Sequence, residues 1–229
     1  GLTLNMSQTG LAVAGDDLVL SWSPLALLGA KVDIDRISAS RLAITLPNKA
    51  GPETPDETPD ATGVGFTLPV AVKLGKLEIP DIQIANPADG RIFSYRLDAH
   101  ALASQNLSAV LGLDLQSLDG GVDHIRADLD FDAKAQKLQA DIDGRFDRAG
   151  LIMALAGLSP NEAPNVTISL KGSGPANDWH GDLAFEASDL ARMGGVIDVQ
   201  VGDDTKIGFG LDVAATTLGK LASSLPEPL

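Results

Sequence analysis

The sequence contains no cysteine, few aromatic residues and too few basic residues to balance its acids. The lack of cysteine excludes disulfide frameworks and thiolate zinc sites, and it suits a cytosol or a periplasm equally. Aromatic residues make up 4% of the chain, so clustered platforms for stacking on bases are missing. A net charge of -14 repels phosphate backbones and anionic membrane surfaces. Together these shortages argue against nucleic-acid binding.

Long hydrophobic runs are also missing. The apolar stretches at residues 25–30 and 151–158 are far too short to cross a bilayer. Hydrophobic residues still make up 44% of the chain, mostly as Leu, Ile, Val and Ala, so a folded protein with aliphatic surfaces is expected. No signal peptide opens the sequence at Gly1, and we expect it to be a segment of a longer protein.

The clearest pattern in the chain is the alternation over residues 125–146. Apolar residues such as Leu129 and Phe131 alternate with Asp128 and Asp130, and the alternation resumes after a polar turn near Lys134. Successive side chains of a strand point to opposite faces, so this pattern predicts a hairpin with one apolar and one acidic face.

The same alternation recurs along most of the chain. It predicts about twelve to fifteen short strands and hence an all-β protein. Slips in phase at Arg36, Leu42 and Pro80 predict bulges or tight corners, because an uncorrected slip would turn a strand inside out. Periodicity alone leaves a closed barrel, a sandwich and an open curved sheet as alternatives.

Three segments depart from the alternation. Residues 49–63 are rich in proline and acid and almost without apolar side chains, which predicts a disordered loop. Residues 147–158 are apolar nearly all round and predict a buried helix that closes one end of the sheet or covers an edge. Residues 217–225 predict a helical tail that ends before Pro226.

No catalytic, cofactor-binding or metal-binding constellation is predicted. The three histidines, at positions 100, 124 and 180, lack metal-ligand spacing. Asp128, Asp130 and Asp132 superficially resemble a calcium loop, but apolar residues interleave them and no glycine or closing glutamate follows at the required positions. We therefore expect a protein that is not an enzyme and has no cofactor.

Three stretches together resemble a known family. They are LVLSWSPLALLGAKVDIDRISASRLAITLP at 18–47 with the acidic insert and LPVAVKLGKLEIPDIQI after it, the DFDAKAQKLQADIDG hairpin, and residues 150–187. The most specific parts are the W-S-P-L-A-L-L block and the G-S-G-P…D-W-x-G block. This combination resembles the N-terminal periplasmic part of the TamB family within the AsmA-like proteins, over residues 11–187.

The resemblance implies more than the residues alone. It implies an all-β fold, a long curved antiparallel-rich sheet forming an open groove (a β-taco), with one or two short helices. It implies a periplasmic protein of a Gram-negative bacterium, anchored in the inner membrane through a helix outside this chain, that conducts phospholipids to the outer membrane. It also implies an outer-membrane TamA-like barrel as a partner, contacted through a C-terminal part outside this chain.

On this basis residues 1–229 are expected to form a single elongated sheet segment, with phospholipid acyl chains as ligand. The groove would be lined by inward-facing apolar residues of successive strands. These are Leu111, Leu113, Leu129, Phe131, Leu138, Ile142, Val166, Ile168, Leu170, Leu183, Phe185, Val199, Phe209 and Leu211.

Two other functions compatible with the pattern are a scaffold or chaperone for outer-membrane β-barrel proteins and a passive spacer. A scaffold would offer strand edges or the groove to unfolded chains. A spacer would have a packed core in place of a groove. The same aliphatic side chains face one way in a filled core and in a lipid-lined trough, so the alternation does not separate them.

Overall fold

The computed structural model describes residues 2–6, 11–46, 70–105, 108–161, 163–188, 190–201 and 205–215. The expected loop at 49–63 and the expected tail at 217–225 lie outside the described residues. The chain divides into two compact units, Gly1–Ala109 and Val110–Leu229. The expectation of one elongated segment stays a prediction.

The first unit is a mixed sheet of seven strands. Its spatial order is β1-β2-β5-β6-β7, and β3 and β4 continue the sheet beside the first half of β6. The strands are β1 Leu2–Met6, β2 Leu11–Asp16, β3 Val19–Trp22, β4 Lys31–Ser38, β5 Arg41–Thr45, β6 Ala71–Asn86 and β7 Arg91–Ala103. A short 3₁₀ helix, Pro24–Gly29, joins β3 to β4, with proline at a position that helices accept.

The predicted phase slips in the first unit are confirmed. Opposite β3, the register skips Asp35, which is the bulge expected near Arg36. Between β4 and β5 the chain leaves the edge of β6 and rejoins it further along, so both strands run parallel to β6. The slip at Pro80 is a bulge against β7, between Ile79 and Ile82.

The second unit is a simple antiparallel meander in which β8 to β14 follow chain order. Its strands are β8 Ala109–Ser117, β9 His124–Asp132, β10 Lys137–Phe146, β11 Val166–Pro175, β12 Asp178–Ala187, β13 Ala191–Val201 and β14 Thr205–Ala215. The predicted hairpin is β9–β10, with Phe131 opposite Leu138. Its turn is closed by Asp132, whose Oδ1 accepts hydrogen bonds from the backbone N–H groups of Lys134 (2.9 Å) and Ala135 (3.1 Å).

These observations confirm the predicted fold class. The described residues are all-β, the pairing is mostly antiparallel, and the only helical segments in the described part are short. Within the described part of the second unit, β14 pairs with β13 and no pairing joins β14 back to β8, so the sheet is open.

The helix expected over residues 147–158 is shorter than predicted. The α-helix α1 spans Leu151–Leu155, after a turn in which Gly150 N–H donates to the Asp147 carbonyl, and Gly157 follows at φ +73°. A Cβ at Gly150 would collide with the Asp123 carboxylate, so this position favours a glycine and gives the helix no side-chain cap. Met153 and Ala154 are buried, but the other helix residues are not.

Candidate functional site: an apolar sheet face

The register of β9 to β14 gathers the apolar residues of six strands on one face. Residues directly opposite each other in an antiparallel pair point to the same side of the sheet. Starting from Leu170, the register leads to Ile142 on one side and to Leu183 on the other. We call this line across the strands the central row. Its members, from β9 to β14, are Ala127, Ile142, Leu170, Leu183, Gly195 and Leu211.

Of the twelve groove residues predicted in β9 to β14, eleven lie on this apolar face, and Leu211 is placed in the central row by its backbone register opposite Gly195. Each lies in the central row or is separated from it along its own strand by an even number of residues. They are Leu129, Phe131, Leu138, Ile142, Val166, Ile168, Leu170, Leu183, Phe185, Val199, Phe209 and Leu211. That they bind lipid stays a proposal.

The two predicted residues of β8 also belong to this side. His124 Nε2 lies 3.3 Å from Asp114 Oδ2, and His124 shares the polar face of β9 with Arg126. Asp114 therefore points to the polar face. Because side chains alternate along a strand, Leu111 and Leu113 share the opposite, apolar face.

Much of the apolar face is accessible to solvent. No large side chain among the described residues is less than 2% exposed, so a fully enclosed core is missing from the described part. Leu129, Leu170 and Leu183 are half-buried, and Phe209 on β14 is 62% exposed. This pattern is typical of a surface that lacks its covering layer rather than of a filled core.

One end of the face is covered by the segment that carries α1. Met153 and Ala163 pack against Val166 and Ala187, which we call the Met153 cluster. Val166 is only 7% exposed, so this predicted groove residue lies beneath a cover and is not open. Phe146, Ile168 and Phe185 pack against the cluster and remain partly exposed.

Trp179 is a residue of this face that the sequence reasoning did not select. It is 4% exposed, and its indole ring lies over Gly172 and Gly181, where an added Cβ would collide with ring atoms. Trp179 Nε1 has no hydrogen-bond partner among the described residues. The sequence signal that could have indicated this contact is the G-S-G-P…D-W-x-G block, because its glycines leave room for the ring of its tryptophan.

The opposite face of the sheet is charged and hydrated. Lys171 Nζ lies 3.1 Å from Asp141 and 3.4 Å from Asp143, and hydrogen bonding to Asp141 is the main cause that raises the pKa of Lys171. His180 Nδ1 pairs with Asp198 on the next strand, and this hydrogen bond raises the pKa of His180. These exposed pairs keep the outer face soluble and contribute little to stability.

The first unit has an apolar face of its own. Its most buried members lie where β6 bulges, at Ile79, Ile82, Phe93 and Tyr95. Beside it, β3 and the 3₁₀ helix carry exposed apolar side chains, with Leu28 at 87% exposure. None of the predicted groove residues belongs to this unit.

Metal-binding clusters and membrane-spanning helices are two features that the described part of the chain does not contain. Among them no group of three His, Asp or Glu side chains is arranged to hold a metal ion. No helix in the described ranges is long and apolar enough to cross a membrane.

The fold and the face define a class, an all-β protein whose open sheet has one apolar and one charged side. The chain belongs to the TamB family, because the family model "TamB, N-terminal domain" matches residues 2–139. The third resembling stretch, 150–187, lies beyond this match. No curated protein and no solved structure matches the chain. Membership implies a role in the bacterial envelope, within a class of transport and assembly proteins, and association with TamA and with membranes.

Proposed function

We propose that this chain is a periplasmic segment of a TamB-like bridge that conducts phospholipids between the inner and outer membranes. The observation that carries the proposal is the accessible apolar face that crosses β9 to β14 with one continuous central row. Acyl chains would lie on this face while the charged face meets water.

The chemistry of the face favours a hydrocarbon over a peptide as its occupant. In β9 to β13, apart from the Trp179 N–H, the residues that the register places on this face carry aliphatic or aromatic carbon or methionine sulfur, or are glycine. A peptide laid on such a surface would leave backbone N–H and C=O groups unpaired, which costs free energy. An acyl chain has no such groups to satisfy.

The dimensions of the face also suit acyl chains. A chain of about sixteen carbons recovers about 12 kcal/mol on leaving water, at about 0.8 kcal/mol per methylene. Its length is roughly 15 Å, half of a bilayer core of about 30 Å. Since strands lie about 4.8 Å apart, a chain lying across them would span about three spacings. The apolar face across six strands is therefore wider than one acyl chain is long.

Family membership supports the proposed partners and location. The full-length protein would be anchored in the inner membrane by a helix outside this chain, and its C-terminal part would meet a TamA-like outer-membrane barrel. This segment would form part of the apolar path between the inner-membrane anchor and the outer-membrane barrel. Such a role needs neither a catalytic group nor a cofactor, and we propose that the protein is not an enzyme.

A second candidate function is a scaffold for outer-membrane β-barrel proteins. The observation that favours it is β14, which among the described residues pairs only with β13 and exposes Ile207, Phe209 and Val213. Such an edge could pair with an incoming strand. It predicts that amphipathic β-peptides bind at β14, whereas the lipid proposal predicts acyl chains on the apolar face.

The two functions are separated by a matched pair of variants in the full-length protein. Leu183→Asp places a charge on the central row, and Ala184→Asp places the same charge on the opposite face one residue later. We expect transfer of labelled phospholipid to the outer membrane to fall in the first variant and to persist in the second. Unchanged transfer with a folded Leu183→Asp protein would contradict the lipid proposal.

A further inference from the structure

The apolar face is not open across its whole width. Along β12 the residues that point to this face are Trp179, Gly181, Leu183, Phe185 and Ala187. Trp179 and Gly181 are buried, with the indole ring against Gly181, and Ala187 is buried within the Met153 cluster. Only the middle of the strand is left accessible.

On one side, the indole of Trp179 fills a depression made by small residues. Ala140, Gly172 and Gly181 lie opposite one another on β10, β11 and β12. Ala140 is 6% exposed, and Gly181 is buried. The ring therefore occupies the space that larger side chains would fill, and it closes this depression beside the central row.

On the other side, the segment over the Met153 cluster is tied down at both ends. The Asp123 carboxylate accepts the backbone N–H of Asp147 through Oδ1 and that of Leu151 through Oδ2, the latter at 3.3 Å. Further along, Asn165 Oδ1 accepts the Arg148 N–H at 2.9 Å, and its carbonyl accepts the Ser188 N–H at 2.9 Å. These bonds hold Met153 in place over the sheet.

Between the two groups lies a narrow accessible strip, which we call the open band. It consists of Ile142, Leu170 and Leu183, the central-row residues of β10 to β12, which are all half-buried, whereas each adjacent row includes a buried residue, Ala140 on one side and Gly144 on the other. Trp179 and Ala187 are eight residues apart, which is about 27 Å along an extended strand, and the rows on either side of Leu183 are about 14 Å apart.

We propose that Trp179 and Met153 are positioning residues that confine a bound lipid's acyl chains to the open band. This inference rests on the proposed function, because it specifies where on the same face the lipid lies. It reduces the set of predicted groove residues that would contact lipid, because Leu138 and Val166 then lie outside the lipid path. Hydrocarbon would cross β10 to β12 along one track instead of spreading over the whole sheet.

The proposal is tested by photocrosslinking in the full-length protein, expressed in a Gram-negative host. A benzophenone side chain is introduced at Leu170, at Leu183 or at Leu138, and lipid adducts are measured by mass spectrometry. We expect strong adducts at Leu170 and Leu183 and a marked loss at Leu138, which lies opposite Gly174 at the Trp179 side of the face. Equal adducts at Leu138 and Leu170 would overturn the proposal.

Variants of Trp179 supply the second comparison. Trp179→Ala should raise the adducts at Leu138, and Trp179→Phe should lower them again, because a phenyl ring can refill the depression and the lost N–H has no partner among the described residues. A purely structural role would not redirect crosslinks. An unchanged Leu138 yield in Trp179→Ala, with Leu170 adducts intact, would overturn the role of Trp179.

Met153→Ala offers an independent variant should loss of the tryptophan prevent folding. A probe at Ala191, which lies opposite Ala187, should then gain adducts. No gain there in a folded variant would overturn the role of Met153. Absence of adducts at both Leu170 and Leu183 in the wild-type protein would instead remove the proposed function itself.

Discussion

Asp123 allows the cover over the apolar face to be tested by one substitution. Its side chain is 5% exposed, and its carboxylate accepts the N–H groups of Asp147 and Leu151. Asp123→Ala removes both acceptors and leaves two partly buried donors without partners. Each unsatisfied donor costs about 1–3 kcal/mol, so the two together should make local opening of the segment easier by about 2–6 kcal/mol. Since 1.4 kcal/mol is a factor of ten, the open population should increase by roughly 30- to 20,000-fold.

Amide hydrogen exchange over residues 147–155 measures this opening directly. We expect the Asp147 and Leu151 amides to lose protection in Asp123→Ala, while amides within β12 keep theirs. Asp130→Ala, an exposed change on the polar face, serves as the matched control and should alter stability by less than about 0.5 kcal/mol. Equal protection of the segment in both variants would refute the argument that Asp123 holds it.

Other predictions follow from the glycines and from the charged face. Gly181→Ala should destabilise the protein by about 1–3 kcal/mol through collision with Trp179, seen as a lower urea midpoint, while Gly194→Ala, with nothing near its Cβ position, should not. Equal urea midpoints for the two variants would contradict the contact between Gly181 and Trp179. Because the pKa of His180 is raised above its ordinary 6.5, mainly by Asp198, its pairing stabilises the fold fully below that pH. The contribution is lost as pH rises through the raised value. Asp198→Asn should lower the His180 pKa in an NMR titration, and an unchanged pKa would contradict the pairing.

Strand alternation was sufficient to predict the apolar face. In β9 to β14 a strand's apolar residues share one side by geometry, and antiparallel pairing of neighbours aligns those sides. Once neighbouring strands pair in chain order, the apolar sides predicted for the single strands therefore form one continuous face. The β9–β10 hairpin, with Leu129 opposite Ala140, shows this most directly.

What the sequence could not show depends on contacts between distant segments. The cover over Val166 arises from a loop held by Asp123, 24 residues before Asp147. The Trp179 contact arises from the register between β11 and β12, which spacing within either strand does not reveal. The parallel pairing of β4 and β5 with β6 likewise joins segments on either side of residues 47–69.

The helix is shorter than predicted for a local reason. A nearly all-apolar run at 147–158 suggested more than two helical turns, but α1 includes only five residues. Gly150 must accommodate the Asp123 carboxylate, and Gly157 adopts a left-handed conformation that ends the segment. Within this short helix only Met153 and Ala154 are buried, and Met153 alone joins the cluster with Ala163, Val166 and Ala187.

The most direct test of the central claim is the lipid content of the full-length protein purified from a Gram-negative host. Native mass spectrometry would compare the wild-type protein with Leu183→Asp and Ala184→Asp, after circular dichroism has shown that all three are folded. The account predicts bound phospholipid in the wild-type protein and in Ala184→Asp, and its loss in Leu183→Asp. Phospholipid retained equally by both variants, or absent from all three proteins, would contradict it.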